Sequence, residues 1–216
     1  DGIRDIGVTG VQTCALPILI TMIDDAVGRI LAEIRSLGLA DNTVVVFTSD
    51  HGDFMGDHGL MLKGPIHYQG LVRIPFIWSD PQASHAHGAS SEALGSSIDI
   101  ARTVLERAGI APVNGMQGRN LIGSSDTDAI LIEDDNQRAY LGFSQPVRAR
   151  TLVTSTHRLT VYRGADWGEL YDLQADPQER HNLWHAEPAI RGALLEQLVQ
   201  KMMELSDRSP RPTRIA

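Results

Sequence analysis

The stretch from Thr48 to Lys63 concentrates side chains that can do chemistry. Asp50 and His51 stand side by side directly after an apolar run, and Lys63 follows in the same polar, glycine-rich stretch. A carboxylate is a good ligand for a hard divalent cation, and an adjacent imidazole can add a nitrogen ligand. A cation held there would polarise an ester oxygen, while a lysine returning over the same pocket would supply a fixed positive charge. These residue types are therefore compatible with metal-assisted ester chemistry.

The segment before Asp50 is expected to position it. Residues 43–48 are apolar on both faces and rich in β-branched side chains, which is typical of a parallel strand covered by helices on both sides. Asp50 and His51 would then lie at the carboxyl end of that strand, the edge at which open α/β sheets bind their ligands. Three glycines between Asp50 and Lys63 let the loop fold tightly.

The elements around this loop predict an α/β arrangement. A helix is expected from an N-cap at Thr21, with Asp24 as its acidic partner, to a stop at Gly38. Residues 74–78 predict another buried strand, and residues 99–108 predict a second amphipathic helix. Strands that are apolar along their length and alternate with helices indicate a parallel sheet.

The pattern changes beyond residue 123. Short strands are predicted at residues 129–132, 138–143, 148–154, 159–162 and 170–173, and their spacing favours an antiparallel sheet. The run from Asp176 to Glu179 has the form of an N-cap, an N1 proline and a capping-box glutamate, which predicts a helix start. A last helix is expected from about residue 188 to residue 205.

The composition excludes several classes of partner. The formal net charge of −8 argues against nucleic acid or an anionic membrane as a general partner, because both would be repelled. No apolar run approaches the roughly 20 residues of a membrane span. The single cysteine, Cys14, excludes an internal disulfide framework and leaves either side of a membrane open as the location.

Three sequence elements together resemble the sulfatase family of the alkaline phosphatase superfamily. The first comprises SDHG at residues 49–52, GDHGL at 56–60, Lys63, Tyr68 and RIPFIW at 73–78. The second, at residues 97–110, is similar to the family's D-(I/L)-x-P-T-(I/L)-L…A-G-I segment, with Arg102 in place of the usual proline. The third, at residues 170–183, resembles the family's C-terminal LYDL-x-x-DP-x-E-x-x-NL element. The elements occur in the family's order across residues 20–205.

The resemblance implies roles for four residues. Asp50 and His51 would be metal ligands, Lys63 would contact the sulfate and the leaving-group oxygen, and His58 would lie near the substrate pocket. The parent enzyme would hydrolyse a small-molecule or carbohydrate sulfate ester with a divalent cation, Ca²⁺ by expectation, and a formylglycine. The formylglycine-forming residue and the first metal-binding aspartates belong upstream of Thr21, and their motifs are absent from this chain.

The resemblance also implies the fold. A partial alkaline-phosphatase-like parallel sheet with flanking helices is expected over residues 19–123. A smaller α+β subdomain with an antiparallel sheet and a terminal helix is expected over residues 124–216. Residues 1–18 fit neither part and are interpreted as a non-native, adapter-like segment, the alternative being a natural irregular tail.

Several alternatives remain open. Within the superfamily, the parent could be a phosphonate monoester or phosphodiester hydrolase that prefers Mn²⁺. Outside enzymes, the chain could be a catalytically silent fragment or a binding module. Asp-His-Gly after a strand can also be an ordinary turn, and His58 can equally be a hydrogen-bonded loop histidine.

The remaining histidines and the loop aspartates are interpreted as residues without a catalytic role. His67 is expected to be structural or exposed, and a mobile surface loop is expected around His85 and His87. Exposed positions are predicted for His181 and His185. Asp53 and Asp57 are expected to solvate or cap the loop.

The isolated 216-residue chain is expected to be an inactive fragment that behaves poorly in solution, because its sheet would present an uncovered edge strand. The measurement is turnover of an aryl sulfate by the purified chain with and without a divalent cation. Metal-dependent turnover above background would contradict this prediction.

Overall fold

The structure is a computed structural model that describes residues 9–83, 88–123, 127–139 and 142–207. The chain divides into two compact units. The N-terminal unit comprises Asp1–Ser49, Met55–Met61 and Ile74–Ala89, and the C-terminal unit comprises Asp50–Phe54, Leu62–Arg73 and Ser90–Ala216. None of the helices in the described ranges combines the length and the apolar character that crossing a bilayer requires. The division at residues 18 and 123 stays a prediction.

The N-terminal unit opens with helix α1, Thr9–Ser36. The predicted N-cap at Thr21 is wrong: this hydroxyl donates to the carbonyl of Pro17 at 2.8 Å, a bond inside the helix. The predicted stop is confirmed, since Gly38 has a φ of 67° and Leu39 donates its N–H to the carbonyl of Ile34. The helix therefore extends into residues 9–18, whose non-native origin stays a prediction.

The two strands of the N-terminal unit pair in the opposite sense to the one expected. Strand β1, Val45–Thr48, lies antiparallel to β2, Phe76–Ser79, with Val45 opposite Ser79. An apolar run does not encode strand direction, so the parallel pairing inferred from residues 43–48 is wrong for this pair. A 3₁₀ helix, Ala40–Asn42, links α1 to β1.

The C-terminal unit contains the predicted antiparallel sheet. Its four strands occur in the order β3-β4-β5-β6, so that each pairs with its neighbour in the sequence. The strands are β3 Ala129–Asp135, β4 Arg148–Thr154, β5 His157–Tyr162 and β6 Gly168–Asp172. No strand forms in the described part of residues 138–143. There the side chain of Asn136 accepts the N–H of Arg138 at 2.9 Å, and this turn ends the ladder.

One face of this sheet is apolar. The register places Leu152 beside Leu159 and Leu159 beside Leu170, and all three side chains have 0% exposure. Helix α4, Pro188–Asp207, packs Leu194 and Leu198 against this row. Full burial of one such side chain contributes about 1.5–3 kcal/mol, so this layer forms the main core of the unit.

The opposite face of the same sheet is polar and also buried. It carries Arg158, Thr160 and Glu169, whose exposure is 6% or less. Two short helices complete the unit, α2 at Gln69–Val72 and α3 at Ser97–Arg107. Ser96 and Asp99 form a capping box at the start of α3.

The predicted helix start at Asp176 is wrong. Residues 176–179 form a turn, and α4 begins only at Pro188. The carboxylate of Asp176 accepts the N–H of His181 at 2.8 Å, while the side chain of Glu179 is drawn into the buried polar face of the sheet. Here the glutamate of the capping-box pattern pairs with buried Arg158 instead of capping a helix.

Truncation of Leu198 tests the packing of α4. Leu198→Ala should lower the free energy of unfolding by about 2–5 kcal/mol, because this buried side chain leaves a cavity against the sheet. Met203→Ala on the same helix should change it by less than about 0.5 kcal/mol, since Met203 is 59% exposed. Urea unfolding followed by tryptophan fluorescence measures both, and equal losses would show that α4 does not pack as described.

Candidate active site

The loop after β1 is held against helix α2 by its backbone. The N–H of Gly52 donates to the carbonyl of Leu71 at 2.7 Å. A Cβ atom on Gly52 would lie 2.0 Å from the carbonyl oxygen of Gly70, so only glycine allows this approach. The N–H of His51 donates to Oδ1 of Asp50 at 3.0 Å. The positions of Asp50 and His51 are thus tied to α2 through Gly52.

The ring of His51 has a defined orientation and tautomer. Its Nε2 lies 2.8 Å from Nζ of Lys63, and its Nδ1 lies 2.7 Å from the carbonyl oxygen of Gly52. The ammonium group of Lys63 can only donate, so Nε2 accepts and the proton resides on Nδ1, which donates to Gly52. An Nδ1–H bound to a backbone carbonyl is the arrangement that directs the Nε2 lone pair of histidine towards a metal.

Asp50 brings a carboxylate oxygen to the same point. Its Oδ2 lies 3.3 Å from Nε2 of His51, and its side chain is 82% exposed. The Oδ2 of Asp50 and the Nε2 of His51 therefore lie together at an exposed position, where the ammonium group of Lys63 occupies the Nε2 lone pair that a cation would take. The structure thus brings together three of the four residues singled out in the sequence.

These donors fit part of a metal site. Within the described ranges, no three His, Cys, Asp or Glu side chains lie close enough together to enclose a metal ion. A hard cation such as Ca²⁺ takes six to eight ligands, so Asp50 and His51 suffice only as members of a larger set. The residue types and the orientation of the imidazole are suited to that membership.

His58 belongs to the other unit. It lies in a 3₁₀ helix, Asp57–Gly59, where it is exposed and adopts a left-handed conformation with a φ of 54°. Its predicted place near the substrate pocket stays a prediction, because the Asp50, His51 and Lys63 cluster is part of the C-terminal unit.

Three other histidines lie in the described residues as expected, either buried or exposed and outside the cluster. His67 is buried at 4% exposure, and its Nδ1 lies 2.8 Å from the hydroxyl of Thr151. His181 and His185 are exposed, as expected. His85 and His87 lie outside the described residues.

A buried charge beside the site was missed at the sequence level. Arg158 has 0% exposure and donates to Glu169 at 2.8 Å and to Glu179. Burial opposes its charge, but the two carboxylates together hold the pKa of Arg158 above its ordinary value. In the sequence, the alternation of Arg158 with Leu159 indicated only a strand with one polar face. A polar face of this kind is ordinarily expected to be exposed to solvent.

Tyr68 joins this buried charge to the site loop. The guanidinium of Arg158 lies 5.0 Å from the centroid of the Tyr68 ring, and the rings of Phe54 and Tyr68 pack edge to face with their centroids 6.4 Å apart. Desolvation is the main cause that raises the pKa of the Tyr68 hydroxyl, so it remains protonated at neutral pH. The ring of Tyr68 therefore covers the guanidinium of Arg158 and makes a cation–π contact with it.

The chain is similar to known sulfatases. Residues 19–110 match the family model described as Sulfatase. The N-acetylglucosamine-6-O-sulfatase of Bacteroides thetaiotaomicron is 32% identical over 187 residues, which cover 83% of this chain and 33% of that protein. The chain therefore spans about a third of the length of this relative.

Solved structures agree with this match. One, of a protein in complex with its substrate D-glucosamine-2-N,6-O-disulfate, has a TM-score of 0.76 and 28% identity, over 90% of this chain and 41% of that one. Another, the phosphonate monoester hydrolase of Agrobacterium radiobacter, has a TM-score of 0.78 and 27% identity, over 86% of this chain and 40% of that one. They confirm the expected α/β fold class of the alkaline phosphatase type. The chain belongs to the sulfatase family, and residues 19–110 carry the match.

Proposed function

We propose that the whole protein is a sulfate-ester hydrolase to which this chain contributes Asp50, His51 and Lys63. The observation that carries the proposal is the convergence of His51 Nε2, Asp50 Oδ2 and Lys63 Nζ on one exposed position. The family match supports hydrolysis of a sulfate ester as the reaction.

Asp50 and His51 are the residues of this chain that would hold a divalent cation, with Ca²⁺ as the expected ion. When bound, such a cation supplies Lewis-acid polarisation of an ester oxygen and a counter-charge for the anionic group. The Nδ1–H bond to Gly52 keeps the imidazole of His51 in the tautomer whose Nε2 can bind it. The nucleophile, a formylglycine by the resemblance, would come from outside this chain.

Lys63 is proposed to bind the anionic end of the substrate. Its ammonium group has three donors, and the one that now points at Nε2 of His51 would be released when a cation takes that lone pair. The other two can donate to ester oxygens, and the fixed positive charge then stabilises negative charge that develops on the leaving oxygen. The position is open to solvent, since Asp50 is mostly exposed, so a charged ester can reach it.

Sulfated carbohydrates are the proposed substrate class. One relative is named for N-acetylglucosamine 6-O-sulfate, and one solved relative is bound to a glucosamine disulfate. Both names specify a sulfate on the 6-oxygen of a glucosamine unit.

A phosphonate monoester hydrolase is the second candidate. The Agrobacterium radiobacter enzyme of that name superposes as well as the sulfatase relatives do, with a TM-score of 0.78. Asp50, His51 and Lys63 would serve a phosphonate oxyanion by the same chemistry, with Mn²⁺ as the expected ion. A higher kcat/KM on phenyl phosphonate esters than on 4-nitrophenyl sulfate would favour this candidate.

Removal of Lys63 tests the proposed anion contact. In the protein expressed from its complete reading frame, Lys63→Ala should lower kcat/KM on 4-nitrophenyl sulfate by about 10²–10³-fold, the range seen when one charge-stabilising donor is lost. Lys201→Ala is the matched control, because Lys201 is the other lysine of the sequence and contacts Thr127 and Glu204 instead. Similar losses in the two variants would contradict the role of Lys63.

Neutralisation of Asp50 tests the metal site. Asp50→Asn should weaken Ca²⁺ binding by at least about 10–100-fold, since one charged ligand oxygen is lost. Asp57→Asn removes the same charge from an exposed turn of the N-terminal unit and should leave the affinity unchanged. Isothermal titration with Ca²⁺ and with Mn²⁺ measures both variants. Unchanged affinity in Asp50→Asn would remove Asp50 from the ligand set.

A further inference from the structure

The carboxylate of Glu179 has two different partners. One oxygen accepts a hydrogen bond from Nε of Arg158, and the other accepts the backbone N–H of Gln69 at 2.7 Å. Glu179 is 2% exposed; its bond to Arg158 is buried and its bond to Gln69 is partly buried. A charge-assisted bond of this kind is about twice as strong as a neutral one.

Gln69 is the first residue of α2, whose last turn reaches the site loop. Helix α2 has four residues, too few to be stable alone, so its position depends on what holds its ends. Glu179 holds the N–H at its start. The carbonyl of Leu71 near its end accepts the N–H of Gly52, the residue after His51. Glu179 is thus linked to the residue next to His51 through one short helix.

A second route joins the same two regions. The N–H of Phe54 donates to the carbonyl of Leu62, the residue before Lys63, at 2.9 Å. The ring of Phe54 packs edge-on against Tyr68, which lies over the guanidinium of Arg158. Arg158 is oriented in turn by Glu169 and Glu179. The backbone segments that contain His51 and Lys63 are therefore both connected, through these contacts, to the buried cluster of Arg158, Glu169 and Glu179.

We propose that Glu179 is a positioning residue that fixes the separation of His51 and Lys63 through the N–H of Gln69. The effect of Glu179 on catalysis rests on the proposed hydrolase function. The structural link from Glu179 to Gly52 does not, because its contacts exist without any substrate.

Glu169 provides an internal comparison. Both glutamates are buried and both accept from Arg158, so the loss of either leaves that cation with one carboxylate fewer. The N–H of Gln69, in contrast, donates its hydrogen bond to Glu179. A purely structural role would make the two positions equivalent, whereas the positioning role makes them different.

The decisive variant is Gln69→Pro. Proline has no N–H to donate, and it is well tolerated as the first residue of a helix. Tyr68 already has the extended backbone that a residue before proline requires, with a φ of −63° and a ψ of 152°. The substitution therefore deletes the bond to Glu179 and leaves the Arg158 cluster in place. Gln69→Ala is its control, because it removes the same side chain and keeps the N–H.

The experiment is hydrogen–deuterium exchange by mass spectrometry on the protein expressed from its complete reading frame. In Gln69→Pro, the peptide that contains Gly52 should exchange about tenfold faster than in Gln69→Ala, with melting temperatures alike. Glu179→Ala should show the same local effect and Glu169→Ala should not. If both glutamate variants fail to fold, the Gln69 pair decides alone.

Kinetics separates this inference from the proposed function. Gln69→Pro should lower kcat on 4-nitrophenyl sulfate about tenfold with little change in KM, since His51 shifts relative to Lys63 while the substrate pocket is otherwise intact. Equal exchange of the Gly52 peptide in Gln69→Pro and Gln69→Ala would overturn the inference whatever the activity. A wild-type protein without turnover on sulfate or phosphonate esters would overturn the proposed function, while the exchange difference would still support the link from Glu179 to Gly52.

Discussion

A fully buried arginine is the constraint on which the C-terminal unit depends. Removing the charge of Arg158 from water costs several kcal/mol, and the structure offsets this by bringing two carboxylates to the guanidinium. Glu169 comes from the neighbouring strand, but Glu179 must come from the turn after β6. That turn therefore cannot become a helix, and the carboxylate it supplies is also the anchor for α2.

The four-stranded sheet has two buried faces with opposite chemistry. Leu152, Leu159 and Leu170 attract α4 by apolar burial alone, a non-directional force that specifies little about the angle of contact. The polar face acts through hydrogen bonds whose geometry is specific, such as that between His67 and Thr151. The segment that carries Lys63 packs on the second face. Directional contacts are thus used where the position of a functional side chain matters.

Local patterns in the sequence predicted what depends on local forces. The stop of α1 at Gly38 and the limits of β4 follow from glycine chemistry and alternation, and both are found. The direction of β1 and the burial of Arg158 depend on partners distant in sequence, which no local pattern contains. The closeness of Asp50, His51 and Lys63 was foreseeable from the motif, but the tautomer of His51 required the carbonyl of Gly52 and the ammonium of Lys63 in three dimensions. The motif marked Glu179, but no local pattern indicated that the N–H of Gln69 would donate to it.

The contact between Gln69 and Glu179 joins residues 110 positions apart, whereas each strand of the sheet pairs with the next one along the chain. Closing a long loop costs more chain entropy than closing a hairpin turn, and contacts between distant residues slow folding. The meander can form from neighbouring segments before the residues around Gly52 and Lys63 arrive. By this entropy argument, we expect the contacts that complete the site to form after those of the sheet.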